Sequence, residues 1–312
     1  MKKLKILVSL IMEENHYQKQ HEVAIREAAR RMDVETELLY ADKDAITQSE
    51  QLLKAIQNPS KENRPDGIIC APVGTTLMQV ARQATAAGIG WAVLNREVEY
   101  IAEMRKQTNV PVFSVTVDQG EIGRIQAKQV TALLPQGGLA LALLGPQGNS
   151  IAEQRFMWLQ TTLPDNIQMR TLVGDWSEQS GHKTVSRWLQ LKTSQNTPVD
   201  VIVGQNDDMA AGAKKAFKEI LAGRLRERWT SLPYLGVDCC PGAGKEWVAG
   251  GVLTASVVNP PTAGIALELM VKAVQSKSQA PERTVMNPTS YPAIEKIAAS
   301  PRIPTSASRP VG

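Results

Sequence analysis

Cysteine, histidine and long apolar runs are all scarce in this chain, whose 312 residues include three Cys and three His. Cys70, Cys239 and Cys240 cannot build an ordered disulfide framework, and adjacent cysteines bridge only with strain, so all three read as free thiols. Cys70, at the end of an apolar run, is most simply a small core residue. His16, His21 and His182 lack zinc-site spacing, so no metal is expected. No stretch approaches the roughly 20 apolar residues of a membrane span, which argues against direct membrane insertion. Charge of one sign is also lacking: the net +4 is small and spread out, with no Lys/Arg run interleaved with aromatics, so nucleic acid is not an expected partner. Phosphate loops are missing too. Gly242-Ala-Gly-Lys245 has no first glycine at the required distance and no Ser or Thr after the lysine, and Gly145-Pro-Gln-Gly148 lacks the three-glycine spacing of a dinucleotide turn. Both read as turns. With no nucleophile and base in evident partnership, the chain is not read as an enzyme, and neither catalytic residue nor cofactor is assigned.

What is present is an ordinary globular composition, 43% hydrophobic and 21% charged. Single cores stop growing at roughly 250 to 300 residues, so this length suits two lobes. Apolar runs at 5–10, 35–40, 67–71, 91–94 and 113–117 alternate with helical periodicity at 21–32, 47–57 and 77–87. Beyond Asp118 the pattern restarts: helices at 122–133, 151–163, 181–191 and 209–221 alternate with strands at 139–144, 169–173, 199–203 and 235–237. Such alternation implies right-handed crossovers and parallel sheets covered on both faces. A last helix at 262–276 follows Asn259-Pro-Pro261 and returns the chain to the first lobe, with a short crossing back near 284–288. The fold expected is α/β: two doubly wound parallel-sheet lobes joined by a three-strand hinge. Residues 1–117 plus 260–284 form one lobe, 118–259 plus 285–300 the other, and 301–312 a Pro- and Ser-rich disordered tail. Met1-Lys-Lys-Leu-Lys begins like a secretory leader, but apolar 6–12 is short and runs into Glu13-Glu14-Asn15 without a small-residue cleavage site. It reads as a first strand, so the chain as given carries no export signal.

The most informative stretch is 201–213, where an apolar run stops at Gln205-Asn-Asp-Asp-Met209 and turns into a helix. Polar groups at the carboxyl end of a buried strand face the crevice where open α/β sheets bind ligands. Further motifs are Glu14-Asn-His-Tyr17 after the first strand, Leu94-Asn-Arg96, Val117-Asp118, Ala152-Glu-Gln-Arg155, Asp175-Trp176, Gly236-Val-Asp238 and Val258-Asn259. In this order and spacing, over residues 4–298, the chain resembles type I periplasmic sugar-binding proteins, close to ribose and galactose binders and to lac-repressor-type effector domains. The resemblance implies a cleft lined by Glu14, Asn15, His16, Tyr17, Asn95, Arg96, Asp118, Arg155, Trp176, Asn206, Asp238 and Asn259.

The chemistry of these types suits a sugar or polyol. Trp176 stands where the family places a stacking aromatic on the second lobe, and His16 or Tyr17 stands in the first-lobe counterpart; both of the latter also read as plain loop residues. Arg155 offers a fixed fork of donors, Asp118 and Asp238 accept, and Asn95, Asn206 and Asn259 donate and accept at once. Singly, such Asx residues are more often helix caps or turn starters, and their joint placement at strand ends carries the reading. There are departures: Ala71-Pro72 replaces an Asn of the ribose binders, His16-Tyr17 a phenylalanine pair and Asn95-Arg96 an Asp-Arg. Segment 97–110 is longer than in the simple binders and extends the cleft rim. Implied is hinge closure on the ligand by a monomer in the periplasm or cell envelope, read by an ABC permease or membrane sensor. The alternative is a cytoplasmic ligand-sensing subunit of a regulator or kinase; no helix-turn-helix precedes the first strand.

Overall fold

Runs of apolar residues too short to be helices form the buried centre of two parallel sheets. The computed structural model describes residues 3–74 and 77–298. In chain order the first elements are β1 (Lys5–Leu10), α1 (His16–Met32), β2 (Glu35–Tyr40), α2 (Ala45–Ile56), β3 (Gly67–Cys70), α3 (Met78–Ala86), β4 (Gly90–Leu94), α4 (Tyr100–Gln107) and β5 (Val112–Val117). Next come α5 (Gln119–Leu133), β6 (Gly138–Leu144), α6 (Ser150–Thr162), β7 (Ile167–Val173), α7 (Glu178–Trp188), α8 (Lys192–Gln195), β8 (Val201–Gly204), α9 (Asp207–Ile220), α10 (Gly223–Thr230), β9 (Tyr234–Asp238), α11 (Gly244–Ala249) and β10 (Ala255–Val258). The chain ends with α12 (Ala263–Ser276), β11 (Arg283–Met286), β12 (Thr289–Tyr291) and α13 (Ile294–Ala298).

The described residues form two compact units: residues 3–117 with 261–286, and 118–260 with 287–298. Unit 1 has the strand order β11-β5-β4-β3-β1-β2 and unit 2 β12-β10-β9-β8-β6-β7, so the two repeat one topology. All pairings are parallel except that of β12 with β10. In the inner strands β3, β4, β5, β8 and β9 every residue is buried, the mark of a sheet covered on both faces. In unit 1, α1 and α12 cover one face through Ile25, Leu267 and Met270, while Leu52, Val80 and Ile101 of α2, α3 and α4 cover the other. In unit 2, Val185, Phe217 and Trp229 of α7, α9 and α10 lie on one face and Val130, Leu159 and Ile297 of α5, α6 and α13 on the other.

Differences from the sequence-based expectation have physical causes. Helix α1 starts five residues before position 21, because the Asn15 side chain accepts from the N–H groups of Tyr17 and Gln18 and caps it there. His16 and Tyr17 are therefore helical. Segment 97–110 is no simple rim loop, since α4 buries Ile101 and Met104 in the core. Unit 1 extends to Met286 because β11 pairs with β5 along its edge. Helices α4, α8, α10, α11 and α13 and strand β12 were not foreseen, and β10 only through the motif Val258-Asn259 at its end; all are short. The expected tail at 301–312 lies outside the described residues.

Of these, α10 buries one of the largest side chains of the core. Trp229 is fully buried, its ring stacks on Phe217 at 4.4 Å, and its indole N–H donates to the Gln195 carbonyl at 3.0 Å. Trp229→Ala is expected to lower stability by about 3–5 kcal/mol and Trp229→Phe by clearly less, read by urea denaturation followed by circular dichroism.

Candidate functional site

Parallel strands bring their carboxyl ends to one edge of each sheet, and the polar residues singled out above gather there. On unit 1 the nucleus is a buried amide. Asn95, just after β4, holds a left-handed φ of +59° and is 8% exposed. Its Oδ1 lies 3.2 Å from the Tyr17 hydroxyl and 2.9 Å from that of Thr262, and its Nδ2 lies 3.1 Å from His21 Nε2. Ala263 N–H donates to His21 Nδ1 at 3.2 Å, and this fixes the tautomer. A neutral ring whose Nδ1 accepts carries its proton on Nε2, pointing at Asn95. The proton count closes when the two ends of the amide are exchanged, oxygen towards His21 and NH2 towards the two hydroxyls. Burial holds His21 neutral, with its pKa lowered to about 3.

The other residues expected on unit 1 are placed around this network. The ring of Tyr17 is buried edge-on to His21 at 4.5 Å. Asn15 caps α1, His16 is half-buried in its first turn and Glu14 is exposed before it. Arg96 is 8% exposed; one Nη1 hydrogen goes to the Gly74 carbonyl at 2.8 Å, and its buried Nε meets no acceptor among the described residues.

On unit 2 the contacts are more continuous. Arg155 is 4% exposed and held as a fixed fork: Nε donates to Gln119 Oε1 at 2.8 Å and Nη1 to the Gln205 carbonyl at 2.7 Å. Its guanidinium lies 5.6 Å from the centre of the Trp176 ring. Trp176 has a φ of +73°, and its indole crosses Gly145 so closely that a Cβ there would stand 2.1 Å from the ring. The turn 145–148, too poor in glycine to hold a dinucleotide, thus makes room for an indole. Gln205 fastens this region, accepting from Gly145 N–H at 2.8 Å and donating to the Ala152 carbonyl at 2.9 Å. Asn206 caps α9 and donates to the Trp176 carbonyl at 2.8 Å. Asp238 accepts from Asn259 Nδ2 at 2.9 Å, and the buried Asn259 Oδ1 has no donor among the described residues. Asp118 caps α5 and pairs with Arg124 at 3.5 Å.

A periplasmic binding protein domain matches residues 6–278 of the chain. The chain belongs to this family. It is a family of binding proteins, consistent in kind with a chain read as no enzyme. A putative rhizopine-binding protein of Rhizobium meliloti is 28% identical over 193 residues, 59% of this chain and 58% of the relative. The D-xylose-binding periplasmic protein of Escherichia coli strain K12 is 25% identical over 224 residues, 69% of this chain and 62% of the relative. The chain thus spans less than two thirds of the length of these curated relatives. A periplasmic solute-binding protein of an ABC transporter from Actinobacillus succinogenes 130z, solved with D-allose, has a TM-score of 0.80 at 19% identity, covering 95% of this chain and 99% of that one. Another from Bacillus halodurans C-125, solved with myo-inositol, has a TM-score of 0.77 at 20% identity, covering 95% and 96%. The likeness to these structures is one of fold: two α/β units with six-stranded sheets. No helix among the described residues is long and apolar enough to cross a membrane.

In this periplasmic binding protein, Tyr17 meets Asn95, Arg155 meets Trp176, Trp176 meets Asn206 and Asp238 meets Asn259. Asn15 joins the first pair by accepting from the Tyr17 N–H, whereas Glu14, His16, Arg96 and Asp118 lie outside these pairs. Sequence reasoning missed the supports: His21 and Thr262 on unit 1, and Gln119, Gln205, Asp207 and Ser256 on unit 2. Gln205 and Asp207 lay inside the stretch already singled out, whereas His21 was weighed only as a metal ligand. His21 also makes a measurable prediction. Its folded pKa is depressed below the ordinary 6.5, so the unfolded state binds the extra proton and stability falls as pH drops from about 6.5 towards about 3. Thermal melts between pH 7 and 4 should show this loss, and His21→Gln should flatten that part of the curve.

Proposed function

We propose that this chain is a solute-binding protein whose ligand is a neutral monosaccharide or polyol, contacted by Arg155, Trp176, Asn206, Asp238 and Asn259 of unit 2 and by Glu14, Asn15, His16, Tyr17, Asn95, Arg96 and Asp118. The observation that carries the reading is the unit 2 arrangement: an indole with a braced guanidinium 5.6 Å from its ring centre, along the same sheet edge as a carboxylate–amide pair whose buried amide oxygen lacks a donor among the described residues. A sugar ring has apolar C–H faces and a rim of hydroxyls. It matches a flat aromatic surface flanked by forked donors and acceptors, and a ligand hydroxyl would satisfy the orphaned oxygen. Asn95, Asn206 and Asp118 also serve the fold through the bonds described above, so their role toward a ligand is second to that of Arg155 and Trp176.

Membership in the periplasmic binding protein family supports a cell-envelope location and a reader that is an ABC permease or membrane sensor. The protein works as a monomer. Its chain crosses between the units three times, at 117/118, 260/261 and 286/287, and ligand binding shifts it from an open to a closed state about these crossings.

The test is a thermal-shift screen of sugars, polyols, sugar acids and amino acids on the wild type, with titration calorimetry of the hits. A ligand at a hundredfold excess over its Kd stabilises the folded state by about 2.7 kcal/mol. One class of sugar or polyol should raise the melting temperature, and Trp176→Ala and Arg155→Ala should each weaken binding at least about tenfold, in line with loss of a stacking surface or a charged hydrogen bond. A shift by amino acids alone would sink the reading.

A further inference from the structure

The polar stretch 205–209 contains two carboxyls, Asp207 and Asp208, that the ligand contacts do not use, and the first of them is clamped on both oxygens. Asp207 opens α9 and is 4% exposed. Its Oδ2 accepts from the Cys239 backbone N–H at 2.6 Å, and its Oδ1 lies 2.6 Å from Ser256 Oγ. One side chain thus ties together α9, the turn after β9, and β10. The fit has no slack. A Cβ on Gly236 would stand 2.0 Å from Oδ1 and one on Gly244 1.8 Å from Oδ2, so both neighbours of the carboxyl must be glycine. The turn it holds is strained: Asp238 and Cys239 have φ of +105° and +50°, conformations that L residues adopt only when their surroundings impose them.

We infer that Asp207 is the positioning residue of the unit 2 site: its carboxyl pins the Asp238–Cys239 backbone and so sets the direction in which the Asp238 carboxylate is presented. The inference rests on the binding function proposed above only for its ligand readout. Asp208 on the same helix and Asp238 at the end of β9 face the group, Cys239 and Cys240 follow in the turn, and Lys245 of α11 is the cation near that turn. Burial first, then the charge of Asp238, pushes the Asp207 carboxyl well above the usual carboxylate range. Ionised, the carboxylate accepts from both the Ser256 hydroxyl and the Cys239 N–H; protonated, its Oδ1 hydroxyl would donate to Ser256 Oγ while Oδ2 still accepts from Cys239, with one negative charge fewer behind Asp238.

Asp207→Asn reproduces both bonds, its NH2 donating to Ser256 and its oxygen accepting from Cys239, whereas Asp207→Ala makes neither. The full chain is measured three ways. Calorimetry with the sugar or polyol that stabilises the wild type should give D207N a Kd within about threefold of wild type and D207A one more than tenfold weaker, as expected when buried polar partners are left unsatisfied. Amide hydrogen exchange at 238–240 should be at least about tenfold faster in D207A but not in D207N, which reads the clamp without any ligand. The folded pKa being raised, wild-type stability should fall as pH rises from about 4 towards the folded value, and D207N should lack that slope.

Wild-type affinity and exchange in a folded D207A would overturn the positioning role. D207N as impaired as D207A, with the wild-type pH slope, would overturn the neutral clamp. Should D207A not fold, Ser256→Ala removes the partner of Oδ1 without adding bulk; unchanged Kd and exchange in that variant would count against the inference. If no sugar or polyol binds the wild type, the functional reading falls, and exchange and pH slope still decide the role of Asp207.

Discussion

A parallel strand covered on both faces has nowhere to carry a polar side chain except at its ends, and this constraint shapes both units. The inner strands β3, β4, β5, β8 and β9 are buried throughout, so each can be apolar along its length and turn polar only where it stops. The carboxyl ends then collect amides, carboxylates and a guanidinium that would each be costly inside the sheet. Their own desolvation must still be met. It is met locally, by helix N-termini at Asn15, Asp118 and Asn206 and by one another.

The two units meet that demand in different ways. Unit 1 closes its polar groups on themselves around Asn95, with a histidine kept neutral by burial serving as both acceptor and donor. Unit 2 builds outwards: Gln119 and Gln205 hold a guanidinium beside an indole, and a second layer under β9 and β10 is keyed by a single carboxyl. Among the described residues unit 2 also leaves three buried amide oxygens without a donor, on Gln126, Gln129 and Asn259, the last of them beside Asp238. Such an oxygen costs free energy in the unliganded protein and returns it to whatever donor arrives.

The alternation of strands and helices was legible because buried parallel strands are short apolar runs and their covering helices are amphipathic. Strand β1 and strand β2 were placed residue for residue. Elements that escaped were short or carried little periodic signal: α10 begins with Gly223 and Arg224 and owes its place to one tryptophan, and β12 is three residues long. The candidate residues were legible by type and by strand end. Their partners were not, because a hydrogen bond such as Asn95 to Thr262 spans 167 positions and leaves no local trace. Asp207 shows the limit well. Neighbouring asparagine and aspartate residues look alike in sequence, and only the two glycines 236 and 244, far along the chain, reveal which carboxyl is enclosed.

Neither unit is a contiguous piece of polypeptide. The core of unit 1 needs Leu267 and Met270 of α12, and its sheet is finished by β11, both of which are translated after nearly all of unit 2. On the ribosome, domains generally fold as they emerge, amino-terminal first. Here the first 117 residues must wait, with the face that α12 will cover still exposed, while the second unit is made and assembles its sheet from β6 to β10. Unit 2 is in turn finished by β12 and α13, made after the last strand of unit 1, so neither unit is whole until nearly all of the described chain has been synthesised.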